Sequence, residues 1–95
     1  DWMIGMPSDM IVASVMLLCF SNLANLKPRN VKMVIGDAHI YEEHVEAAKL
    51  LLTKECFEFP TYTLKPQKDL SSFIPSDLKI INYTHHDPIK LQLKE

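Results

Sequence analysis

Met10-Ile11-Val12-Ala13-Ser14-Val15-Met16-Leu17-Leu18-Cys19-Phe20 is the longest apolar stretch of this 95-residue chain, and only Ser14 interrupts it. Eleven residues fall short of the about 20 that span a bilayer. The residues before it are acidic rather than basic, unlike a secretory leader. The stretch therefore reads as a core helix. Pro7-Ser8-Asp9 precedes it and offers Ser8 or Asp9 as N-cap. The helix is expected to run to about Asn25 and to stop before Lys27-Pro28, because proline disfavours helix in the residue before it. It is apolar nearly all round, so both faces are expected to be buried. A chain this short has few elements to cover it, which points to partner structure outside the chain. The opening Asp1-Trp2-Met3-Ile4-Gly5-Met6-Pro7 is already apolar and turn-forming, where natural chain ends are looser and more polar. It is expected to lie inside a domain, by cleavage or truncation.

Working outward, Val31 to Ile35 is a short β-branched run ending at Gly36-Asp37, a buried strand running into a turn. Glu42 to Thr53 places apolar residues at 45, 47, 48, 50, 51 and 52 and charges at 42, 43, 46 and 49, an amphipathic helix of about three turns. Phe59-Pro60 breaks that pattern. Thr61 to Leu64 alternates as a strand, Asp69 to Pro75 connects with one buried aromatic, Phe73, and Leu78 to Tyr83 forms another strand. The tail Ile89-Lys90-Leu91-Gln92-Leu93 alternates again. The order is helix, strand, helix, strand, strand, tail, an α+β piece.

A hydrophobic fraction of 47% with 23% charged residues is that of a globular chain rather than a disordered one. A net charge of −2 with scattered basic residues excludes a general DNA or RNA binder, which concentrates Lys and Arg. Cys19 lies in the apolar run, where a thiol behaves as a small hydrophobe. With Cys56 it makes no disulfide framework, so a reducing, cytoplasmic compartment is expected.

Three polar clusters stand where packing alone does not demand them. The first is Asp1, Gly5, Pro7, Ser8 and Asp9. Glycine lets backbone approach a flat ligand, and Asp9 presents a carboxyl near a helix start, where the helix dipole favours negative charge. Capping by Asp9, with Asp1 as a surface acid, explains the same residues. The second is Gly36-Asp37-Ala38-His39-Ile40-Tyr41-Glu42-Glu43-His44. His39 and Tyr41 are two apart, so extended backbone points both to one face, offering a ring nitrogen and a phenol to a sugar hydroxyl. A structural histidine beside a packed tyrosine is the alternative. The third is Tyr83-Thr84-His85-His86-Asp87-Pro88-Ile89-Lys90. Adjacent residues of an extended segment point oppositely, so these do not converge on a metal, and no metal site is expected. Phosphate-loop, dinucleotide, Cys-x-x-Cys and nucleophile-elbow motifs are absent from the sequence.

In this order and spacing the clusters resemble the thymidylate synthase family along the whole chain. The family's D-x-x-x-G-x-P-x-[N/D] matches Asp1 to Asp9, and its L-K-P-G-D loop matches Leu26-Lys27-Pro28-Arg29-Asn30. G-D-x-H-[I/L]-Y-x-x-H matches Gly36 to His44 without a gap. R-E-P-R-P-F-P is similar to Lys54-Glu55-Cys56-Phe57-Glu58-Phe59-Pro60. Y-x-P-H-P-x-I-K is similar to the tail at Tyr83, His86, Ile89 and Lys90. One such match is weak; five in register are strong.

The resemblance implies that residues 1–95 are the C-terminal part of a single thymidylate synthase-like α+β domain, with a long buried helix, strands and an amphipathic helix. It implies a transferase moving a one-carbon unit from 5,10-methylenetetrahydrofolate to C5 of a pyrimidine deoxynucleoside monophosphate, in a cytoplasmic homodimer. Asp1 looks like the carboxylate that hydrogen-bonds the folate pterin. Ile4 and Gly5 line the floor between folate and pyrimidine, and Ser8 falls on the folate side. His39 and Tyr41 look like the pair holding the ribose 3′-hydroxyl. The family's cysteine nucleophile, which attacks C6, lies in a Pro-Cys-His setting upstream of the Asp1 position. Neither Cys19 nor Cys56 has such neighbours, and the phosphate-binding arginines are missing too. No catalytic residue is therefore expected in this chain, which needs the N-terminal portion of the same enzyme.

Two departures from the family pattern matter. Thymidylate synthases usually carry Phe-Asn where this chain has Ser8-Asp9, and that Asn reads the uracil edge. A carboxyl instead accepts from a cytosine N4 amino group and, when protonated, donates to N3. Deoxycytidylate hydroxymethylases of the family carry Asp there, so the resemblance leans toward dCMP and hydroxymethylation, with dUMP and methylation as the alternative. The other departure is the end: the family's last residues are small and apolar and close over bound ligands, whereas here they are Leu93-Lys94-Glu95. A non-catalytic nucleotide-binding fragment and a plain structural domain are the competing classes.

Overall fold

A computed structural model describes residues 1–94. Helix α1 spans Gly5–Leu23, starting earlier than Ser8 or Asp9 as N-cap implies. The cap is Asp1. Its carboxylate accepts the backbone N–H groups of Met3 at 3.0 Å, Ile4 at 3.2 Å and Gly5 at 3.2 Å. Of these, the Gly5 N–H is a donor that the first turn otherwise leaves without a partner. Ser8 instead sits inside the helix and returns its hydroxyl to the Ile4 carbonyl at 3.1 Å.

The helix ends where the sequence places its stop, for a further reason. Asn25 adopts φ 54°, the left-handed conformation that asparagine tolerates. Leu26 N–H then donates to the Ser21 carbonyl at 2.9 Å and Asn25 N–H to that of Asn22 at 3.3 Å, the paired closing bonds of a Schellman turn.

The expectation that both faces of α1 are buried is not met within this chain. Only Cys19 and Ser21 of α1 are buried, while Ile11 is 66% exposed and Val12 59%. At 19 residues α1 is about 28 Å long. It is long and apolar enough to cross a membrane by length and composition, a property it shares with long core helices. The shorter apolar run thus understated the helix, because the turn around Gly5 and the stretch to Leu23 extend it at both ends.

Val31 to Ile35 forms no strand. It carries no regular secondary structure and is exposed throughout, Val34 to 98%, with no neighbouring strand to complete a ladder among the described residues. The amphipathic helix is present, resolved into a 3₁₀ turn at Glu42–His44 and helix α2 at Val45–Leu52. Strands β1 (Thr61–Leu64) and β2 (Leu78–Ile81) pair antiparallel, with Thr61 opposite Ile81 and Leu64 opposite Leu78. β2 stops two residues short of Tyr83, since Asn82 turns left-handed at φ 58°. Phe73 is half-buried rather than buried, and the tail alternates in burial only over 89–92, with Leu93 exposed, and forms no strand. Glu95 lies outside the described residues, so of the expected departure at the chain end only Leu93 and Lys94 are seen.

The loop joining β1 to β2 closes on Asp77. The buried Asp77 carboxylate accepts from Ile74 N–H and Gln67 Nε2, each at 3.0 Å. The Ile74 N–H is the main cause holding this carboxyl below the ordinary range, ahead of Gln67 and Lys65, while burial opposes them. Gln67 N–H reaches Asn22 Oδ1 at 3.4 Å and so ties the loop to the end of α1.

The whole is an α+β piece with unusual surface. Its radius of gyration is 16.1 Å, against about 12 Å for a self-contained domain of this length. It exposes 8331 Å², where a folded monomer of its mass exposes about 5,600 Å². Most of the apolar side chains that form a core elsewhere are uncovered here.

Candidate functional site

The first two clusters meet. Trp2 N–H donates to the His39 carbonyl at 2.8 Å, which sets the Asp1–Gly5 turn beside the segment carrying His39 and Tyr41. A hollow of about 420 Å³ opens there, lined by Trp2, Ala38, His39 and Ile40. His39 and Tyr41 pack edge to face with centroids 5.1 Å apart, so the two-residue spacing does bring both rings together.

His39 Nδ1 lies 3.1 Å from the Asp37 carbonyl oxygen. A carbonyl only accepts, so Nδ1 carries the hydrogen, and neutral His39 presents the Nε2 lone pair outward. That lone pair can accept from a hydroxyl, and the Tyr41 phenol can donate or accept.

Asp1 is engaged by three backbone donors, so of the about four acceptor positions of a carboxylate roughly one remains for a ligand. A Cβ added at Gly5 meets Asp1 Cβ at 3.5 Å, ordinary contact, so nothing within the chain requires glycine there. Ile4 is half-buried beside it, and Ser8 and Asp9 are exposed on α1. Asp9 stands four residues after Gly5, hence on the same helix face and about 6 Å further along the axis. Asp9 lies inside α1, beyond its N-cap, so capping does not account for it. The hollow beside His39 includes neither Asp9 nor Tyr41.

The third cluster stands apart. His86 Nε2 donates to the Glu55 carbonyl at 2.7 Å, with its ring stacked on Phe57 at 4.4 Å, and His85 Nδ1 donates to the His86 carbonyl at 2.8 Å. Each imidazole gives one ring nitrogen to a backbone carbonyl. Among the described residues no group of three His, Cys, Asp or Glu side chains is placed to hold a metal ion. A wider groove of about 480 Å³ lies in this region, walled by Met3, Leu51, Phe57, Tyr83 and Ile89. Cys19 is buried and Cys56 exposed, both as free thiols.

Sequence reasoning gave no role to Trp2 or His44. Trp2 acts through its backbone, which leaves no sequence signal. His44, 2% exposed, is one helical turn from Tyr41 and packs edge-on against it at 5.8 Å. Its position at the start of an amphipathic helix was the available signal.

The α+β piece thus sets an acidic turn beside a histidine–tyrosine pair. The family model described as thymidylate synthase matches residues 1–95, and the chain belongs to the thymidylate synthase family. It is 36% identical over 90 residues to a thymidylate synthase of Mycoplasma pneumoniae, covering 95% of this chain and 31% of the relative. A thymidylate synthase of Clostridium beijerinckii is 32% identical over 96 residues, covering 98% of this chain and 36% of the relative. A bifunctional dihydrofolate reductase-thymidylate synthase of Plasmodium chabaudi is 34% identical over 94 residues, covering 98% and 16%. The chain thus spans about a third or less of the relatives it matches. No solved structure matches it.

Proposed function

We propose that this chain supplies the sugar-holding and base-reading part of an enzyme that moves a one-carbon unit from 5,10-methylenetetrahydrofolate to C5 of a pyrimidine deoxynucleoside monophosphate. The observation that carries this is the Trp2–His39 backbone bond, which seats the Asp1–Gly5 turn against the His39–Tyr41 pair. His39 Nε2 and the Tyr41 hydroxyl grip the 3′-hydroxyl of the sugar. Gly5 and Ile4 form the floor shared with folate, Ser8 lies on the folate side, and the remaining acceptor position of Asp1 takes a pterin N–H. The thiolate that attacks C6 and the arginines that hold phosphate come from the N-terminal portion of the same enzyme, so these 95 residues alone are catalytically inert. The exposed faces of α1 and of the Val31–Ile35 run pack inside that larger α+β domain, in a cytoplasmic homodimer, rather than in lipid.

Asp9 directs the base preference. Exposed on the Gly5 face of α1 and not used as a cap, its carboxyl is free to accept from a cytosine N4 amino group, which favours dCMP and completion by water. The second reading is dUMP and methylation, favoured by the names of the thymidylate synthases to which the chain is similar.

Calorimetric titration of dCMP and dUMP into the protein at its full natural length separates them. Preference for dCMP that reverses in Asp9→Asn supports the cytosine reading, and preference for dUMP in the unaltered protein sinks it. Binding of neither removes the enzymatic reading.

A further inference from the structure

Ser8 and Asp9 lie on α1 one turn beyond Ile4 and Gly5, and both are exposed. Residues four apart on a helix are neighbours, so these four form one patch of two adjoining rows, Ile4–Ser8 and Gly5–Asp9. Within its row, Ser8 Oγ donates to the Ile4 carbonyl at 3.1 Å. Ser14 makes the same kind of bond to Met10 at 2.7 Å, but it lies about 9 Å further along the axis, away from that patch.

A hydroxyl has one hydrogen to give and two lone pairs. The Ile4 carbonyl takes the hydrogen, so toward anything else Ser8 only accepts, and its exposure leaves those lone pairs open. Thymidylate synthases usually carry a phenyl ring at this place; here there is a hydroxyl and the room that a ring fills. A water that gives one hydrogen to Ser8 Oγ keeps its own lone pairs for an electrophile. The chemistry calls for such a water. The one-carbon unit of 5,10-methylenetetrahydrofolate is at the oxidation level of formaldehyde. A hydroxymethyl group is at that same level and needs only water, whereas a methyl group needs a hydride, which leaves the folate oxidised. On the pyrimidine, C5 is bonded to C4, which carries N4, so a carboxyl that meets N4 has the C5 substituent beside it. Ser8, adjoining Asp9 on the folate side, stands where that substituent arrives.

We propose that Ser8 holds the water that completes the reaction, and thereby decides between hydroxymethylation and methylation. Such a role for Ser8 rests on the hydroxymethylation reading above. The step begins with the one-carbon unit on C5 as an exocyclic methylene, tetrahydrofolate released as the free amine, and the thiolate still bonded to C6. The water oxygen bonds to the methylene carbon, and the π pair of that double bond passes into the ring. That pair then forms C5=C6 as the C6–S pair leaves with the thiolate. One proton of the water goes to solvent, and nothing is oxidised or reduced.

The test uses the protein at its full natural length with dCMP and 5,10-methylenetetrahydrofolate, products being identified by mass spectrometry and dCMP affinity by calorimetry. The unaltered protein is expected to give 5-hydroxymethyl-dCMP without dihydrofolate, the oxidised folate that methylation leaves behind. Ser8→Ala is expected to slow hydroxymethylation about tenfold, the worth of one lost hydrogen bond, while dCMP affinity changes by less than about twofold. Ser8→Thr, which keeps the hydroxyl, restores most of the rate. Ser8→Phe fills the space and is expected to shift the product toward 5-methyl-dCMP and dihydrofolate. A crystal of the unaltered protein with dCMP and tetrahydrofolate should hold a water about 2.8 Å from Ser8 Oγ that Ser8→Ala lacks. Undiminished hydroxymethylation by Ser8→Ala, or no ordered water on Ser8 in that crystal, overturns the role of Ser8 and leaves the hydroxymethylation reading standing. An unaltered protein that methylates, or that turns over neither dCMP nor dUMP, overturns both.

Discussion

Helix α1 and the β1–β2 unit satisfy their polar groups by different means, and both leave apolar surface uncovered. α1 completes its hydrogen bonds at both ends, by Asp1 and by the Asn25 turn, yet leaves most of its apolar surface uncovered. The β1–β2 unit pairs its two strands and folds its loop onto one buried carboxylate, with one further bond from Gln67 to Asn22 of α1. Polar satisfaction here is mostly short-ranged, and the chain achieves most of it alone, His44 Nδ1 excepted. Hydrophobic coverage is long-ranged and needs surface from elsewhere.

The largest expected effect tests that contrast on α1. In the protein at its full natural length, Ile11→Ala is expected to cost about 2–5 kcal/mol in urea unfolding, as a core truncation does. A change below about 0.5 kcal/mol would mean that α1 is as exposed there as here.

Asp77→Asn is expected to lower the melting temperature by about 5 °C, through loss of an ionised acceptor for Ile74 and Gln67. The pH dependence has a definite sign. The carboxyl of Asp77 is depressed in the folded state, so its contribution is full above the ordinary carboxylate range and is lost as pH falls through the depressed value. Asp77→Asn should therefore flatten the acid limb of the stability profile. An unchanged acid limb removes Asp77 from the account.

Asn25→Val forces a β-branched residue into the left-handed conformation and is expected to cost about 1–2 kcal/mol, whereas Asn25→Gly stays near neutral. Equal costs for the two would show that φ does not govern the end of α1. The smallest effect belongs to Lys49→Ala. It removes an exposed pair with Glu46 three residues away and should change stability by less than about 0.5 kcal/mol.

How far the sequence was legible follows the same division. The stop of α1, the amphipathic helix and the two paired strands were readable because proline, 3.6-residue periodicity and alternation act locally. The start of α1 was misplaced because Asp1 caps from four residues before Gly5, outside the Ser8–Asp9 pattern a local reading examines. Val31 to Ile35 was misread because β-branched composition does not provide a ladder partner. At the site, the His39–Tyr41 pairing was readable from spacing, since two-residue periodicity in extended backbone is local. The Trp2–His39 bond and the reach of His44 to Gln92 connect residues 37 and 48 apart, distances over which composition carries no signal.

The most direct test of the site compares a deoxynucleoside monophosphate with its 2′,3′-dideoxy counterpart by calorimetry, on the protein at its full natural length. The account predicts that losing the 3′-hydroxyl weakens binding by about tenfold, and that Tyr41→Phe narrows this difference, because hydroxyl and phenol form one bond. Equal affinity for the two nucleotides, with His39 and Tyr41 intact, would contradict it.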